Sequence, residues 1–535
     1  IVLDGGSERA VLHAVYDLLE RLGARYAPGL KPELPRIDPA IIRAVEPRKV
    51  EPAFKRRAFV SDIMTWNYSF SDRLALHLAH DREFVPWMAA RGLNAFFYIR
   101  HAHDTRLRID ELVASWRERG IGCEYGGHVL QLLLPRERFE KNPEYFPAGA
   151  DGARNNRGNL CVSNEAALKL VRDNALSYVR DYPENELLHI WGADVREGAW
   201  CRCGECAGLT PQLQYLKVVN AIADALSGGG PSAAVPTVAY LAYHDTIEPD
   251  PALKPLSNVW FEWAPRERCY SHAIDDPACE VNPRYLESLK RYLELFDGRG
   301  HVFEYYQDAI LFGGLGFATP SIIVRDLRAY RAMGITSVSS LTFGAYSALA
   351  YPVNLNAFAC GSRLPDFEPD RMLADTAAER HPACAAEMAG AYRAIERASA
   401  KVLSYADVMR PVMAPEKARR KATELREAKL LIAEAVEAAD RIVRETGAPL
   451  VRAERELWDY GAEVLAALAD YLDARALGGA ERQSKGEDAV SRIERAAERI
   501  RGIDLEIKGT WGAYDFEWIR ELWLDALRKN LAENP

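Results

Sequence analysis

The chain has 535 residues, of which 48% are hydrophobic and 27% charged, and its formal net charge is -9. This length exceeds one compact core and predicts two to four domains of an ordinary globular protein. The negative charge argues against nucleic acid or an anionic membrane surface as a partner. The sequence holds no run of about 18 apolar residues, so we expect no transmembrane helix.

Residues 1–50 predict a strand, a helix and a proline-rich connector. The strand covers Ile1-Val2-Leu3, and apolar residues at helical spacing predict a helix from about Glu8 to Leu22. No signal peptide is visible, but the chain begins inside the predicted strand, so we expect that a leader or part of a domain precedes it. We interpret 1–50 as a partial N-terminal α+β domain with its linker.

Residues 51–365 alternate short apolar runs with helical segments. The predicted strands are Arg57–Ile63, Ala95–Arg100, Gly122–Tyr125, Leu187–Trp191, Thr237–Tyr243, Val259–Trp263, His301–Tyr306 and Ser337–Thr342. Eight strands that alternate with helices over about 300 residues predict an α/β fold, a (β/α)8 TIM-type barrel. A doubly wound sheet is the alternative, although no phosphate-binding glycine loop follows the first strand.

Residues 366–535 lose the strand pattern and predict a C-terminal helical domain. The segments 385–410, 414–446, 450–476, 483–503 and 515–531 are rich in Ala, Glu, Arg and Leu with helical periodicity. Their amphipathic faces permit a homodimer without requiring one.

Nine cysteines are present, and three of them, Cys201, Cys203 and Cys206, lie within six residues. The overall spacing is not that of a disulfide scaffold, which favours a reducing compartment such as the cytoplasm over secretion. The triplet predicts a structural zinc if a fourth ligand such as Cys161 or a histidine joins it. A disulfide and plain thiols stay open, and no cofactor is expected for catalysis.

Active sites of such barrels lie at the carboxyl ends of the strands, which selects the candidate residues. Glycoside hydrolysis needs two carboxyl groups, one as acid and one as base or nucleophile, about 5 Å apart or more. The catalytic candidates are Asp194, Glu197, Glu262 and Glu304. An acidic residue at a strand end is often only a helix cap or an arginine partner. We expect Asp194, Glu262 and Glu304 to converge at one pocket mouth.

Aromatic and basic residues at the same strand ends are the candidates for substrate binding. Aromatic faces stack on sugar rings, while Arg and His bind hydroxyl or carboxylate groups. The candidates are Arg100, His128, Trp191, Tyr240, Tyr243, Trp263, Tyr305 and Asp308. Arg100, Arg196 and Arg266 are suited to a sugar carboxylate. His101 and His103 have the spacing of metal ligands, but no third ligand is near them in sequence.

Two stretches of the sequence resemble known families. Residues 1–26 resemble the end of the small domain that precedes the barrel in α-glucuronidases (glycoside hydrolase family 67) and β-hexosaminidases. The middle resembles a family catalogued as domain of unknown function 4838. That resemblance is carried by Gly127-His128, Phe139, Asn142-Pro143-Glu144-Tyr145-Phe146, Leu160-Cys161-Val162-Ser163-Asn164, Trp191 to Asp194 and the cysteine triplet.

The resemblance implies a hydrolase barrel related to the α-glucuronidases, with an acid after the fourth strand and carboxylate bases on later strands. Carried over by position, Asp194 or Glu197 is the acid, and Glu262 or Glu304 is the base or nucleophile. The chain has Ala193-Asp194-Val195 where β-hexosaminidases have an Asp-Glu pair, which argues against substrate-assisted cleavage of an N-acetyl sugar.

The sequence therefore predicts a glycosidase of carbohydrate metabolism or polysaccharide degradation. It would cleave a terminal sugar, with a uronic acid among the candidates, by carboxylic acid/base catalysis. A non-catalytic carbohydrate-binding protein on the same barrel is the alternative. A structural or assembly protein built around the helical tail is the third and weakest hypothesis.

Overall fold

The computed structural model describes residues 2–36, 39–62, 82–99, 110–183, 185–228, 237–342, 348–364, 367–404, 413–506 and 523–533. Eight strands form one closed sheet. They are β1 Arg56–Asp62, β2 Ala95–Ile99, β3 Gly122–Gly127, β4 Leu187–Ile190, β5 Thr237–Ala242, β6 Val259–Trp263, β7 Gly300–Glu304 and β8 Ser337–Thr342. Each strand pairs in parallel with the next, and β1 pairs with β8 to close the barrel. The predicted (β/α)8 barrel is confirmed.

Helices surround this barrel and connect its strands. They are 82–91, Asp110–Glu118, Leu130–Leu133, Glu165–Asp181, Pro211–Ser227, Asn282–Leu295, Pro320–Ala332 and Pro352–Arg363. Several begin at a polar cap: Asn164 accepts a hydrogen bond from the Ala167 amide, and Thr210 accepts one from that of Leu213. These caps fix where each loop above the barrel ends.

The remaining chain folds into further helices. They are Pro369–Arg380, Ala385–Ser399, Pro415–Thr446, Pro449–Arg475, Gly479–Glu506 and Asp525–Glu533. They pack against the barrel; the Tyr460 hydroxyl, for example, donates a hydrogen bond of 2.8 Å to the Gly313 carbonyl. The predicted helix 385–410 ends early at Ser399, and residues 507–522 lie outside the described residues. Among the described residues, no helix combines the length and the apolar character needed to cross a bilayer.

The N-terminal segment differs from its prediction. The expected helix forms as Glu8–Arg21, capped by Ser7, but residues 2–6 pair with no strand of the described chain. Val2 is 92% exposed. The connector also holds a short helix, Pro39–Arg43.

The barrel interior carries a buried polar layer. Because side chains alternate along a strand, Phe97, His189 and Phe303 point inward, and the rings of Phe97 and His189 stack with centroids 3.8 Å apart. Each ring nitrogen of His189 lies 3.0 Å from a carboxylate oxygen, one of Glu124 and one of Glu262. This layer forms a rigid floor below the open end of the barrel.

Candidate active site

The described part of the barrel mouth is built from the carboxyl ends of β3 to β7. Residues 63–81, 100–109 and 343–347, which follow β1, β2 and β8, lie outside the described residues. The site below is therefore the portion that five neighbouring strand ends contribute.

His128 follows β3 through two glycines in left-handed or related backbone conformations. Gly126 has φ +145° and Gly127 has φ +107°, and a Cβ on Gly126 would lie 2.1 Å from the His189 carbonyl oxygen. Glycine is thus required for β3 to pass β4 closely. The His128 Nδ1–H donates to the Gly192 carbonyl at 2.5 Å, which directs Nε2 toward Asp194.

Asp194 occupies the centre of the described mouth, in the loop after β4. Its Oδ1 lies 3.9 Å from His128 Nε2 and 3.7 Å from His244 Nε2. Burial alone would raise the pKa of the Asp194 carboxyl. Its neighbours His128, His244 and Arg266 outweigh burial and hold that pKa well below its usual range. Half of the side-chain surface stays exposed, so this carboxylate is both ionised and accessible.

His244 lies between Asp194 and a second carboxyl group. It has φ +48°, a conformation that non-glycine residues seldom adopt, and strain of this kind concentrates at functional sites. Its ring packs on Tyr243 with centroids 3.7 Å apart. The other ring nitrogen, Nδ1, lies 3.8 Å from Oε1 of Glu267, which also pairs with Arg196.

Asp194 and Glu267 consequently face each other across one imidazole ring. The two contacts to His244 and the width of the ring limit the distance between their carboxylate oxygens to about 10 Å at most, and glycosidase carboxyl pairs are ~5–10 Å apart. Glu267 was not among the predicted site residues, because it lies four positions beyond the end of β6, inside a loop. His244 directly follows the fifth predicted strand, Thr237–Tyr243, and was also not among the predicted site residues.

Arg266 and Asp308 form a further charged pair at the mouth. Arg266 Nε donates to Asp308 Oδ2 at 2.9 Å, and the Asp308 Oδ1 accepts from the Leu311 amide at 3.0 Å. The guanidinium carbon also lies 6.0 Å from the ring centroid of Tyr305. Asp308 is fully buried, and its hydrogen bond with Arg266 fixes the orientation of the guanidinium. Arg266 itself is half-buried and lies near the carboxyl pair.

Glu262 lies below the mouth rather than in it. Its Oε2 accepts hydrogen bonds from the Trp191 indole at 2.7 Å and from His189 Nδ1 at 3.0 Å. Trp191 in turn contacts the His128 ring edge-on, with centroids 5.2 Å apart. Glu262 is fully buried, and it holds the indole that supports His128.

The match to a known protein family covers all eight strands of the barrel. The sequence profile of the "Domain of unknown function (DUF4838)" matches residues 49–346, which is more than half of the chain. The chain belongs to the DUF4838 family. The resemblance of the middle of the sequence to this family is thereby confirmed. No curated protein matches the sequence.

Solved structures share the fold of this DUF4838 chain at low sequence identity. One is a glycoside hydrolase family 138 enzyme that targets the pectin rhamnogalacturonan II, with a TM-score of 0.55 and 10% identity. The alignment covers 93% of this chain and 66% of that one. Another is a family 89 glycoside hydrolase from Clostridium perfringens, with a TM-score of 0.54, 12% identity and coverages of 98% and 64%. The chain thus spans slightly under two thirds of both.

In this DUF4838 barrel, Glu304 does not join Asp194, contrary to the prediction. His301 and Phe303 point into the barrel, so the side chain of Glu304 points outward. There it accepts hydrogen bonds from Arg268 Nε at 3.2 Å, from the Tyr270 hydroxyl at 3.2 Å and from the Tyr330 hydroxyl. The expected convergence of three carboxylates is therefore wrong, for Glu304 and for the buried Glu262.

Arg268 connects this outer cluster to the mouth. It also pairs with the buried Asp326, and it follows Arg266 and Glu267 directly in the loop after β6. Glu304 therefore anchors the loop that carries Glu267 and does not face the described mouth itself.

The other predicted site residues divide into two groups. His128, Trp191, Tyr243, Tyr305 and Asp308 lie at the described mouth or directly below it. Tyr240 and Trp263 do not, because they point outward: the hydroxyl of Tyr240 donates to the Gln212 carbonyl, and the indole of Trp263 donates to Ser288 Oγ. Glu197 is exposed in the loop after β4. Arg100, His101 and His103 lie outside the described residues.

The cysteine triplet gains a fourth member in the structure. Cys161, from the segment before the helix Glu165–Asp181, joins Cys201, Cys203 and Cys206, and the four sulfur atoms all lie within 4.8 Å of one another. Cys161 Sγ is 3.7 Å from Cys203 Sγ and 3.9 Å from Cys206 Sγ. All nine cysteines of the chain are free thiols in the structure.

Proposed function

We propose that this DUF4838 protein is an O-glycosyl hydrolase that cleaves a terminal sugar at the mouth of its barrel. The observation that carries the proposal is the pair Asp194 and Glu267, two carboxyl groups on opposite sides of His244 and within about 10 Å. The fold shared with the two glycoside hydrolases supports the same class of reaction, although fold alone does not assign an activity.

In the proposed reaction, Asp194 acts as the ionised carboxylate. Because its pKa is held well below the usual range, Asp194 is deprotonated at neutral pH and is suited to be a base or nucleophile. This reverses the acid role that the position after the fourth strand implied. His128 and His244 then orient the carboxylate from two sides.

Glu267 is the proposed general acid, which protonates the leaving oxygen. It lies on the far side of His244 from Asp194, in the loop after β6, so a sugar bound over the His244 ring would have a carboxyl group on each side. Asp245 is a second candidate for this role. Burial, with a smaller contribution from Glu197, raises the pKa of Asp245 to about 7, and Asp245 is the residue that follows His244.

Arg266 supports a uronic acid as the terminal sugar. Its guanidinium is fixed by Asp308 near Asp194, where the remaining N–H groups are suited to a sugar carboxylate. The half-buried ring of Tyr243 offers an apolar face at the same place. Arg266→Gln should then reduce kcat/KM for uronides about tenfold or more beyond its effect on the matching neutral glycosides.

A hydrolysis screen against aryl glycosides and aryl uronides tests the proposal. We expect turnover of at least one substrate, and a loss of about 100-fold or more in kcat for Asp194→Asn and for Glu267→Gln. Glu205→Gln, which alters an exposed carboxyl group in the same loop as Asp194, is the matched control and should retain full turnover. Asp245→Asn decides between the two acid candidates.

Binding without turnover would contradict the proposal. If calorimetry detects sugar binding while every glycoside stays intact, the protein is a carbohydrate-binding protein on a glycosidase-like barrel. If turnover occurs but survives in both Asp194→Asn and Glu267→Gln, the carboxyl pair is not the catalytic machinery.

A further inference from the structure

The four clustered cysteines have the geometry of a closed metal site. The two sulfur–sulfur distances of 3.7 and 3.9 Å bracket the ~3.8 Å edge of a tetrahedron whose corners lie 2.3 Å from a central zinc ion. They are far longer than the ~2 Å of a disulfide bond. We propose that Cys161, Cys201, Cys203 and Cys206 bind one structural zinc ion as a tetrathiolate.

The surroundings of the sulfur atoms suit such an ion. Cys201 Sγ accepts hydrogen bonds from the amides of Ala148 at 3.4 Å and of Cys203 at 3.5 Å. Ser163 Oγ lies 3.2 Å from the sulfur atoms of both Cys161 and Cys206. Polar donors directed at thiolate ligands are the usual second layer of a structural zinc site.

The charge of the cluster and its nearest cation also suit a bound zinc ion. Four thiolates around a divalent ion leave two negative charges, which burial would make unfavourable. The guanidinium of Arg154 lies beside Cys161, and its NH1 is fixed by the Glu144 carbonyl at 3.1 Å. A cation held by the backbone next to the cluster reduces this charge.

The proposed ion would join two loops of the barrel. Cys161 lies between β3 and the helix Glu165–Asp181, while the other three ligands lie between β4 and the helix Pro211–Ser227. Two residues before Cys161, the Asn159 amide donates to the Ala199 carbonyl at 2.8 Å, and Asn159 Oδ1 accepts from the Ala193 amide at 2.7 Å. Because all four zinc positions are filled by protein, the ion would fix the loop of Asp194 and take no part in chemistry.

The chain has a second candidate metal cluster, so the matched control is a cysteine that lies outside both clusters. Cys269, His272 and Cys279 also bring their ligand atoms within 4.8 Å, but they supply three ligands only. Replacement of Cys360, a free cysteine in the helix Pro352–Arg363, removes a thiol that belongs to neither cluster. It therefore separates a specific loss of metal from a general effect of removing a thiol.

The test is the zinc content of the full-length chain after exhaustive dialysis, measured by plasma mass spectrometry. We expect that Cys203→Ser and Cys161→Ser each hold one zinc fewer per chain than the wild type, and that Cys360→Ser keeps the zinc content of the wild type. A wild type that takes up no zinc, or equal zinc in the wild type and both cluster variants, would overturn the proposal.

Two measurements on the wild type keep the proposal testable if the serine variants do not fold. Exchange of the metal for Co²⁺ should give the visible absorption of tetrahedral cobalt with sulfur charge-transfer bands, and octahedral cobalt would overturn it. Thiol titration of the denatured, chelated chain should count all nine cysteines. Two or four missing thiols, traced by peptide mapping to the cluster, would show disulfides in its place. Neither readout depends on the proposed hydrolase activity.

Discussion

Glu304 and Asp194 have opposite surroundings, so their amide variants should give opposite phenotypes. The Glu304 carboxylate is buried and accepts hydrogen bonds from Arg268, Tyr270 and Tyr330. A hydrogen bond to a charged group contributes ~1.5–3 kcal/mol to stability. Glu304→Gln retains one acceptor oxygen, and Arg268 retains its ion pair with Asp326. We therefore expect Glu304→Gln to lower the free energy of unfolding by about 2–4 kcal/mol.

The Asp194 side chain is half exposed, so we expect its replacement to affect turnover rather than stability. Ion pairs at exposed positions contribute about 0–1 kcal/mol, so Asp194→Asn should change the free energy of unfolding by less than about 1 kcal/mol. Its turnover should nevertheless fall about 100-fold or more, because the reacting carboxylate is removed. Glu304→Gln, which does not touch the mouth, should stay within about tenfold of the wild-type kcat.

Urea denaturation followed by tryptophan fluorescence gives the stabilities, and kcat is measured on the best substrate of the screen below the unfolding temperature of each variant. The reasoning is refuted if Glu304→Gln is as stable as the wild type and inactive. In that case the carboxylate of Glu304 would have to reach the substrate, contrary to its outward position on β7.

Three further outcomes are expected. Because the pKa of Asp194 is well below its usual range, the pH profile of kcat/KM should show no acid limb with a pKa near 4. A decline of kcat/KM below about pH 4 with such a pKa would contradict the charge environment described for Asp194. Burial raises the pKa of Asp326 to about 7, so the ionisation of Asp326 opposes folding as the pH rises from about 4 to 7. The denaturation midpoint of the wild type should therefore decline over this pH window. The midpoint of Asp326→Asn should decline less. Gly126→Ala should lower the free energy of unfolding by about 3 kcal/mol or more, because the new Cβ would meet the His189 carbonyl oxygen. Gly152, with φ +79°, has open space around it, so Gly152→Ala should lower it by about 1 kcal/mol. Equal losses would show that the close approach of β3 to β4 is unimportant.

The sequence was sufficient to predict the barrel, because strand and helix patterns are local. Val259–Trp263 and Ser337–Thr342 have the predicted bounds, and the other six strands begin and end within two residues of prediction. The direction of each side chain was not predictable in the same way. Barrel strands are buried on both faces, so the run Gly300–Glu304 has no polar alternation that shows which face Glu304 takes.

The missed residues have a different cause. Glu267 belongs to a loop, and its position at the mouth depends on Arg268, which binds Glu304 and Asp326 from other elements. Such a contact has no counterpart in the local sequence. Cys161 was considered as a fourth ligand only because the triplet lacked one, and its approach from 40 residues away follows from the fold.

The separation of Asp194 and Glu267 is a property of their loops rather than of their own side chains. The loop after β4 is held by Asn159 at Ala193, and the loop after β6 is held by Arg268 in the buried cluster of Glu304 and Asp326. Neither anchor contacts the carboxyl pair in the described structure, yet each fixes a backbone position next to one member of it. Because the distance between the two carboxyl groups decides whether a nucleophile or a water molecule attacks the sugar, the anchors would set the stereochemical outcome of the proposed reaction. The strained backbone of His244 between the two loops fits this arrangement, since strain of this kind persists only where the surrounding structure is rigid enough to hold it.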